Sequence, residues 1–347
     1  MPRLRRSRLD APAIHRRRYG AGFRFTDASG WPIADPETIE RIRALVIPPA
    51  WKDVWICPWP NGHIQAVGTD AAGRRQYRYH DEWRRRRDAE KFSKMLEFGS
   101  ALPGLRAATD RDLVLEGMPR ERTLALAVQL LDCGLFRVGG EEYAEEHQTF
   151  GLATLERNHV RIRNGQATFD YAAKGGIERK IAIDDPALVE LIGELKYRRD
   201  DTADLLAWQE EGEWVDVRAA DINQYLKEIS GGPFTAKDFR TWTASLLAAL
   251  LLAGVPRTTS PSQRARATAA VVRAVAAELG NTPAVCRRSY VDPRVLDRFE
   301  RGDTLRAVIA ALPDVAELKV REVRARLELA FVEFLAEPEP SGLELAA

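Results

Sequence analysis

The segment HVRIRNGQATFDYAAKGGIERKIAID, residues 159–184, breaks an otherwise helical pattern in the second half of the chain. Apolar and polar residues alternate on both sides of two turn signals, Asn164-Gly165 and Gly175-Gly176. Asn-Gly and Gly-Gly pairs favour tight hairpin turns because both positions accept a positive φ. The segment therefore predicts a three-stranded antiparallel sheet set among helices.

Helical patterns lie on both sides of this sheet. DEWRRRRDAEKFSKMLEFG and PRERTLALAVQLLDCG are amphipathic, and Gly99 and Gly134 stand where glycine commonly ends a helix. Further helices are predicted over 186–198, 219–229 and about 315–335.

Capping signals in the sequence mark the termini of three further helices. TAKD, residues 235–238, predicts a capping box that opens a long apolar helix ending before Gly254. Gly280 is predicted to cap the helix that follows. Thr282, followed by Pro283, predicts the start of another helix.

The first 90 residues have a different pattern. Residues 19–34 alternate as strands do, and Asp35-Pro36 predicts the start of a short helix that stops at Pro48. Short strands follow, separated by turns at Asn61-Gly62 and Ala72-Gly73. The sequence thus predicts an α+β fold, with a small sheet-rich domain over 1–90 and a mainly helical domain over 91–347.

Composition narrows the class of protein. The 347 residues carry a net charge of only +1, but the arginine clusters RLRRSR, HRRRY, RRQYRY and RRRR all fall in the first 90 residues. Such clustering indicates a basic face toward a polyanion, although an arginine-favouring GC-rich genome is an alternative source of the composition. The C-terminal LAEPEPSGLELAA is acidic.

Several kinds of site are missing from the sequence. No P-loop, HExxH, EF-hand or GxSxG motif occurs, and the five histidines are scattered. Three distant cysteines and no long apolar run favour a reduced cytoplasmic protein without a membrane segment. Neither a metal nor another cofactor is expected, so phosphate chemistry would depend on cationic side chains alone.

Four short segments supply candidate catalytic residues. LFRVGGEEY carries Arg137 beside two glycines, and FDYAAKGG places Lys174 at a hairpin tip. TAKDFRTW places Arg240 about one turn inside a helix, where free N–H groups favour anions. LGNTPAVCRRSY carries Asn281 and, nine residues later, Tyr290.

Each residue also has a simpler interpretation. Arg137 fits a surface ion pair, and Lys174 fits a solvated turn. Tyr290 fits a core aromatic residue that uses its hydroxyl as a polar group. The acidic neighbours that could pair with the guanidinium of Arg240 are Asp238 and Glu228.

The order of these segments resembles the small type IB DNA topoisomerases of poxviruses and of bacteria such as Deinococcus. The resemblance covers about residues 19–310, and its further signatures are GLATL at 151–155 and the KDxR and GxTP…RRxY blocks. It implies the DNA breaking-rejoining enzyme fold and relaxation of positive and negative supercoils without ATP or metal.

The resemblance also implies a role for each candidate. Tyr290 would attack a DNA phosphodiester and form a 3′-phosphotyrosine, while Arg137 and Arg240 bind the non-bridging oxygens. Lys174 would be the general acid for the 5′-oxygen. Asn281 stands where the family usually has a histidine, and its amide can donate a hydrogen bond but carries no charge.

DNA contacts are implied as well. GRRQYRY, residues 73–79, resembles the family strand that enters the major groove, with Gln76, Tyr77 and Tyr79 as contacts. Alternation places the tyrosines on one face and Gln76 on the other, and an ordinary half-buried strand is the alternative. Residues Arg84–Arg87 would meet either phosphates or solvent. The remaining implied contacts are Tyr143, Thr154 and Lys237.

The predicted partner is duplex DNA, held by a monomer acting as a clamp in the nucleoid of the cytoplasm. A tyrosine site-specific recombinase is one alternative, although such enzymes usually carry HxxR where this chain has KDFR at 237–240. A non-catalytic duplex-binding protein is the other alternative.

Overall fold

The computed structural model describes residues 3–71, 73–140, 148–257, 260–311 and 320–336. The chain divides into two compact units, Met1–Ser93 and Lys94–Ala347. Within the described residues, no helix combines the length and the apolar character needed to cross a membrane.

The first unit is a five-stranded antiparallel sheet covered by one helix. Its strands lie in the order β2-β1-β3-β4-β5. The helix α1 packs Ile42 against Ile14, Ile56 and Ala66 of the sheet. The elements are β1 (Ile14–Tyr19), β2 (Gly22–Thr26), α1 (Pro36–Ala44), β3 (Lys52–Ile56), β4 (Ile64–Thr69) and β5 (Arg75–Tyr79).

The predicted start of α1 is confirmed, and its predicted end is wrong. Asp35 accepts a hydrogen bond from the Thr38 amide, and Pro36 occupies the first helical turn. The helix ends at Ala44, before Pro48, because the next residues turn through Val46 with a φ of 46°.

The second unit is mainly helical. Two short 3₁₀ turns, Leu152–Thr154 and Arg157–His159, precede its three-stranded sheet. Its helices are α2 (Asp81–Leu113, which begins in the first unit), α3 (Arg120–Gly134), α4 (Pro186–Lys196), α5 (Ala219–Ser230), α6 (Ala236–Gly254), α7 (Pro261–Leu279), α8 (Pro283–Ser289), α9 (Pro293–Glu300), α10 (Arg306–Ala310) and α11 (Val320–Ala336). The predicted α+β class is confirmed.

The predicted three-stranded sheet is confirmed. It consists of β6 (Val160–Arg163), β7 (Gln166–Ala173) and β8 (Ile177–Ile183), in the order β6-β7-β8. Both predicted hairpin turns have the positive φ that their residues permit, such as 52° at Asn164 and 83° at Gly175.

Of the two helix ends predicted at glycines, the one at Gly99 is wrong and the one at Gly134 is confirmed. Gly99 lies inside α2, which continues to Leu113. Any side chain at Gly99 would approach the Trp242 ring closer than 3.0 Å, so this glycine permits close packing and does not end the helix. Gly134 is the last residue of α3, and Leu135 adopts the left-handed cap conformation with a φ of 55°.

One hairpin was not predicted from the sequence. Strands β9 (Ala207–Glu210) and β10 (Glu213–Asp216) form a two-stranded sheet. Each strand has only four residues, and their many carboxylates and amides give little β-propensity. The sheet forms through tertiary packing, because Ala207 and Trp208 are buried.

Helix α6 is anchored at its centre by Trp242. The indole is fully buried, packs on Phe331 of α11 and donates a hydrogen bond of 3.3 Å to Glu328. The predicted capping box at the start of α6 forms in part, because the Asp238 carboxylate accepts from the Thr235 amide at 2.7 Å. These contacts fix the helix that carries Arg240.

Substitution of Gly99 tests the packing between α2 and α6. We expect Gly99→Ala to lower the free energy of unfolding by about 1–3 kcal/mol, because the new methyl group overpacks the Trp242 ring. Gly104→Ala is the matched control in the same helix, since no atom lies within 4 Å of a methyl group there. The control should gain about 0.5–1 kcal/mol. Equal urea midpoints for the two variants would contradict the packing assignment.

Candidate active site

Arg240 is the most buried residue of the candidate site. It lies in the second turn of α6 and is only 4% exposed. Its guanidinium donates to the carbonyl oxygen of Leu135 and, at 2.8 Å, to that of Leu279. Arg240 therefore joins the start of α6 to the ends of α3 and α7.

The Arg240 guanidinium forms an ion pair with neither Asp238 nor Glu228, the two acidic residues considered from the sequence. The Asp238 carboxylate caps α6 and forms an ion pair with Lys94 at 2.9 Å. Glu228 lies 3.4 Å from Arg120. The alternative in which Arg240 pairs with Asp238 or Glu228 is therefore wrong.

Arg137 is held by the loop that follows α3. Its carbonyl accepts from the Leu152 amide at 2.7 Å, and the carbonyl of Val138 accepts from the amide of Ala153. Gly139, with a φ of 91°, lies so close to Gly151 that a methyl group on Gly151 would come within 2.5 Å of the Gly139 backbone. The GLATL segment therefore serves as the support on which the Arg137 loop rests.

Asn281 brings Arg137 to the end of α7. The Arg137 guanidinium donates to the Asn281 side-chain oxygen at 2.6 Å and to the Gly280 carbonyl at 2.9 Å. Because this oxygen is occupied, the amide nitrogen of Asn281 points the other way. That nitrogen and the Nε of Arg240 are buried donors for which the described residues supply no acceptor.

Tyr290 closes the cluster. It caps the end of α8 through a 2.9 Å hydrogen bond from its amide to the Cys286 carbonyl, and the predicted N-cap of that helix is confirmed, because the Thr282 hydroxyl accepts from the Val285 amide. The Arg240 guanidinium carbon lies 5.4 Å from the centre of the Tyr290 ring. Tyr290 is half-buried, so it is not an aromatic residue enclosed in the core.

Ser245 holds Tyr290 in place from α6. Its fully buried hydroxyl donates to the Tyr290 carbonyl at 2.9 Å and accepts from the Asp292 amide at 2.9 Å. Ser245 was not singled out in the sequence. Its signal is weak, because a lone serine in an apolar helix has no motif around it.

The cluster is cationic, and burial acts on its charges. Burial, together with the like charge of Arg137, lowers the pKa of Arg240 to about 10, although the nearby Tyr290 opposes this shift. Burial also lowers the pKa of Arg137, and Tyr290 again opposes the shift. Both guanidiniums remain protonated at neutral pH.

A third guanidinium lies beside the cluster. Arg179 of β8 pairs in register with Tyr171 of β7. Burial raises the pKa of Tyr171, and the charges of Arg179, Arg240 and Arg137 oppose that rise. Arg179 was missed in the sequence, although it continues the alternation of the buried Ile181 and Ile183 and so places an arginine at a core-facing position.

Lys174 lies at the exposed tip of the β7–β8 hairpin, as predicted. It follows Tyr171 by three residues, so the tip extends about 10 Å beyond the tyrosine at the usual rise per strand residue. The structure thus brings four of the five predicted catalytic residues into contact and places the fifth on a projecting turn.

The predicted DNA-contact strand has the expected alternation. Tyr77 and Tyr79 are exposed on one face of β5, with ring centres 5.9 Å apart. Gln76 is on the other face, where its amide donates to Asp70 at 3.0 Å.

The other predicted contacts differ in exposure. Thr154 is buried, and its hydroxyl bonds to the Gly151 backbone. Lys237 is exposed in the first turn of α6. Tyr143 lies outside the described residues. Arg84–Arg87 each lie within ion-pair distance of a carboxylate on α2.

Comparisons with known proteins agree with this geometry. Residues 80–307 match the family described as eukaryotic DNA topoisomerase I, catalytic core. Residues 22–70 match the bacterial DNA topoisomerase IB N-terminal domain. The chain belongs to the type IB DNA topoisomerase family.

Individual relatives support the assignment of the chain to this family. It is 33% identical over 270 residues to DNA topoisomerase 1B of Acanthamoeba polyphaga mimivirus, covering 76% of this chain and 80% of the relative. It is 21% identical to DNA topoisomerase I of monkeypox virus, covering 84% and 91%. The match to DNA topoisomerase 1 beta of Arabidopsis thaliana is 29% identical over 48% of this chain and 17% of that protein. A Deinococcus origin stays a prediction.

A bound metal ion would need a cluster of several ligating side chains in the topoisomerase. Within the described ranges, no three side chains of His, Cys, Asp or Glu come together in such a cluster.

Removal of the Ser245 hydroxyl tests how Tyr290 is held. We expect Ser245→Ala to lower the free energy of unfolding by about 1–3 kcal/mol, because it leaves buried backbone groups of Tyr290 and Asp292 without partners. Ser100→Ala, on the exposed side of α2, is the control and should change stability by less than about 0.5 kcal/mol. If urea unfolds both variants at the same concentration, Ser245 does not hold Tyr290.

Proposed function

We propose that Tyr290 attacks a phosphodiester of duplex DNA, so that its phenolic oxygen bonds to phosphorus as the bond to the 5′-oxygen breaks. The product is a 3′-phosphotyrosine and a free 5′-hydroxyl. The reverse attack by that hydroxyl rejoins the strand. The phosphotyrosine conserves the energy of the broken bond, so the cycle needs no ATP, and the arginine and lysine side chains supply the positive charge that a metal would otherwise provide.

The observation that carries this proposal is the pair of unsatisfied buried donors beside Tyr290. Buried polar groups almost always have a hydrogen-bond partner, so the Nε of Arg240 and the amide nitrogen of Asn281 indicate an acceptor that arrives with a ligand. A phosphodiester carries negative non-bridging oxygens of the required kind. The guanidinium of Arg137, bonded to Asn281, adds a second positive charge.

These cations address the two difficulties of the reaction. A phenol has an ordinary pKa of about 10, so at neutral pH Tyr290 is protonated and its proton must pass to solvent water as the oxygen attacks. Two adjacent guanidiniums stabilise the phenolate and then the charge that develops on the five-coordinate phosphorus. Asn281 contributes a neutral hydrogen bond at the position where the family usually has histidine.

Lys174 is the proposed general acid. The 5′-oxygen would otherwise leave as a strongly basic alkoxide, and a lysine ammonium can protonate it during departure. The projecting hairpin turn, with positive φ at both Gly175 and Gly176, suits a side chain that approaches only when DNA is bound.

Between cleavage and rejoining, rotation of the free 5′ end would relax supercoils of either sign. We propose that the enzyme acts as a monomer that clamps duplex DNA, with Tyr77 and Tyr79 on the exposed face of β5 as contacts to bases or backbone. Gln76 would reach an adenine edge from the opposite face, where its amide donates to Asp70 in the free protein. The other proposed DNA contacts are Tyr143, Lys237 and the buried Thr154. A substrate of chromosomal DNA implies a place in the nucleoid of the cytoplasm.

A site-specific recombinase is less well supported. KDFR at 237–240 places a lysine where the recombinase motif has histidine, and Asp238 is used to cap α6. A plasmid substrate separates the two activities, since relaxed topoisomers without recombinant products indicate a topoisomerase.

Removal of one oxygen atom tests the nucleophile. We expect Tyr290→Phe to abolish relaxation of supercoiled plasmid in EDTA without ATP, because the phenolic oxygen is the attacking atom. Binding to a duplex should stay within about threefold, which corresponds to less than about 1 kcal/mol. Any relaxation by purified Tyr290→Phe would overturn the proposed function. The control is Tyr197→Phe, which changes an exposed tyrosine at the end of α4 and should relax plasmid normally.

A change of leaving group tests Lys174. We expect Lys174→Ala to slow cleavage of a normal strand by about 10²–10⁴-fold, the usual contribution of a general acid. A substrate with sulfur in place of the bridging 5′-oxygen should restore most of that rate, because a thiolate, with a thiol pKa of about 8.5, leaves without a proton.

The control for Lys174 is an alanine variant of a binding residue. Arg137→Ala should stay slow on both substrates, since the need for phosphate binding is unchanged. An equal defect of Lys174→Ala on the oxygen and sulfur substrates would show that Lys174 is not the acid.

A further inference from the structure

The N-terminal sheet carries a row of cations that extends beyond the proposed DNA-contact strand β5 to the other strands of the sheet. Arg17 of β1 lies directly opposite Arg24 of β2. At the same level of the sheet, Lys52 of β3 pairs with Thr69 of β4, and Thr69 pairs with Arg75 of β5. All four cations are exposed. We call Arg17, Arg24, Lys52 and Arg75 the basic row.

The basic row lies on the same face of the sheet as Tyr77. In the adjacent row, His15 pairs with Trp55, Trp55 with Val67, and Val67 with Tyr77. Residues two positions apart along a strand share a face, which places Arg17 with His15 and Arg75 with Tyr77. The bulge between Lys52 and Trp55 adds one residue, and this keeps Lys52 on that face.

The charges of the basic row are not neutralised within the described part of the chain. No carboxylate there forms an ion pair with any of the four. Arg24 and Arg75 contact the rings of Tyr19 and Tyr77, respectively, at 4.4 and 5.9 Å. Like charges directly opposite each other in a sheet are destabilising, so the Arg17–Arg24 pair disfavours the free fold and favours a bound anion.

The dimensions suit one DNA backbone. Five strands at a spacing of about 4.8 Å give a row about 19 Å long. Phosphates of one strand repeat about every 3.4 Å along a duplex axis, so a backbone crossing the sheet presents a phosphate near each cation.

We propose that the basic row binds the phosphodiester backbone of the duplex whose bases face Tyr77 and Tyr79, so that the DNA interface spans the whole N-terminal sheet from β5 to β2. This inference rests on the proposed function and adds four phosphate contacts to it. Its partner is duplex DNA, since a line of exposed cations on β2, β1, β3 and β5 matches the repeating phosphates of a backbone.

The experiment measures how duplex affinity depends on salt, in a Tyr290→Phe background that keeps the protein from cleaving. Each phosphate contact contributes about 0.9 to the slope of log affinity against log salt. We expect Arg17→Ala/Arg24→Ala to lower that slope by about 1.8, and Lys52→Ala/Arg75→Ala to lower it equally. Loss of affinity should be the same for unrelated duplex sequences, because phosphates carry no base identity.

The matched control is Arg18→Ala. Arg18 is an exposed arginine next to Arg17 on β1, but alternation places it on the opposite face with Arg16. It should leave the slope unchanged. Arg17→Lys/Arg24→Lys should retain the parent slope, since charge and not shape is required.

Stability separates this role from a structural one. Because the Arg17–Arg24 pair is repulsive, Arg17→Ala should melt at the same temperature as the parent or higher. If the double variants show the parent slope, or if Arg18→Ala lowers it as much as Arg17→Ala, the basic row does not bind DNA. A parent slope combined with loss of binding to an acidic protein would assign the row to a protein partner instead. Either result leaves the relaxation test of Tyr290→Phe untouched, so the two proposals fail separately.

Discussion

The candidate site depends on one buried cation that has no carboxylate partner among the described residues. Burying a guanidinium is unfavourable unless its donors are bonded, and the bonds of Arg240 go to the backbone carbonyls of Leu135 and Leu279. Both carbonyls lie at helix C-termini, where the helix dipole is negative. The arginine therefore holds the ends of α3 and α7 against α6 while its charge stays uncompensated, because a carbonyl supplies only a partial charge. An anion that bound at this site would neutralise the charge that the protein's own groups leave uncompensated.

The other residues of the site follow from that arrangement. The turn after α7 contains Gly280 in the left-handed conformation, with a φ of 61°, which lets the chain reverse and present Asn281 to Arg137. Ser245 lies five residues after Arg240 on α6 and bonds the backbone at Tyr290. One helix thus supplies both the charge that is proposed to bind phosphate and the support of the proposed nucleophile. A rigid element sets their separation, which suits the proposed reaction because the same phosphate would have to be held through cleavage and rejoining.

Local signals predicted the elements and not their packing. Asp35, Asn164-Gly165, Gly280 and Thr282 act through their own backbone neighbours, so the caps and turns could be predicted from sequence. Gly99 failed as a predicted helix end because its role is set by Trp242, 143 positions away in the printed sequence. The candidate catalytic residues were found through resemblance to a family, since no spacing in the chain brings Arg137 near Asn281. Ser245 and Arg179 contribute through tertiary contacts alone, and neither has a motif that marks it.

Asn281 shows how the site tolerates a departure from the family pattern. An imidazole can donate to a phosphate oxygen while accepting from a neighbour, but only as one neutral tautomer, and it changes charge near neutral pH. An amide has its donor and acceptor at opposite ends permanently. With its oxygen bonded to Arg137 at 2.6 Å, Asn281 can present only its nitrogen to a ligand. The positive charge of the cluster then belongs to arginines, and the pKa of about 10 for Arg240 keeps that charge in place at neutral pH. In the proposed mechanism, asparagine in place of the histidine that the family resemblance implies therefore removes a titrating group from phosphate binding and keeps a hydrogen-bond donor.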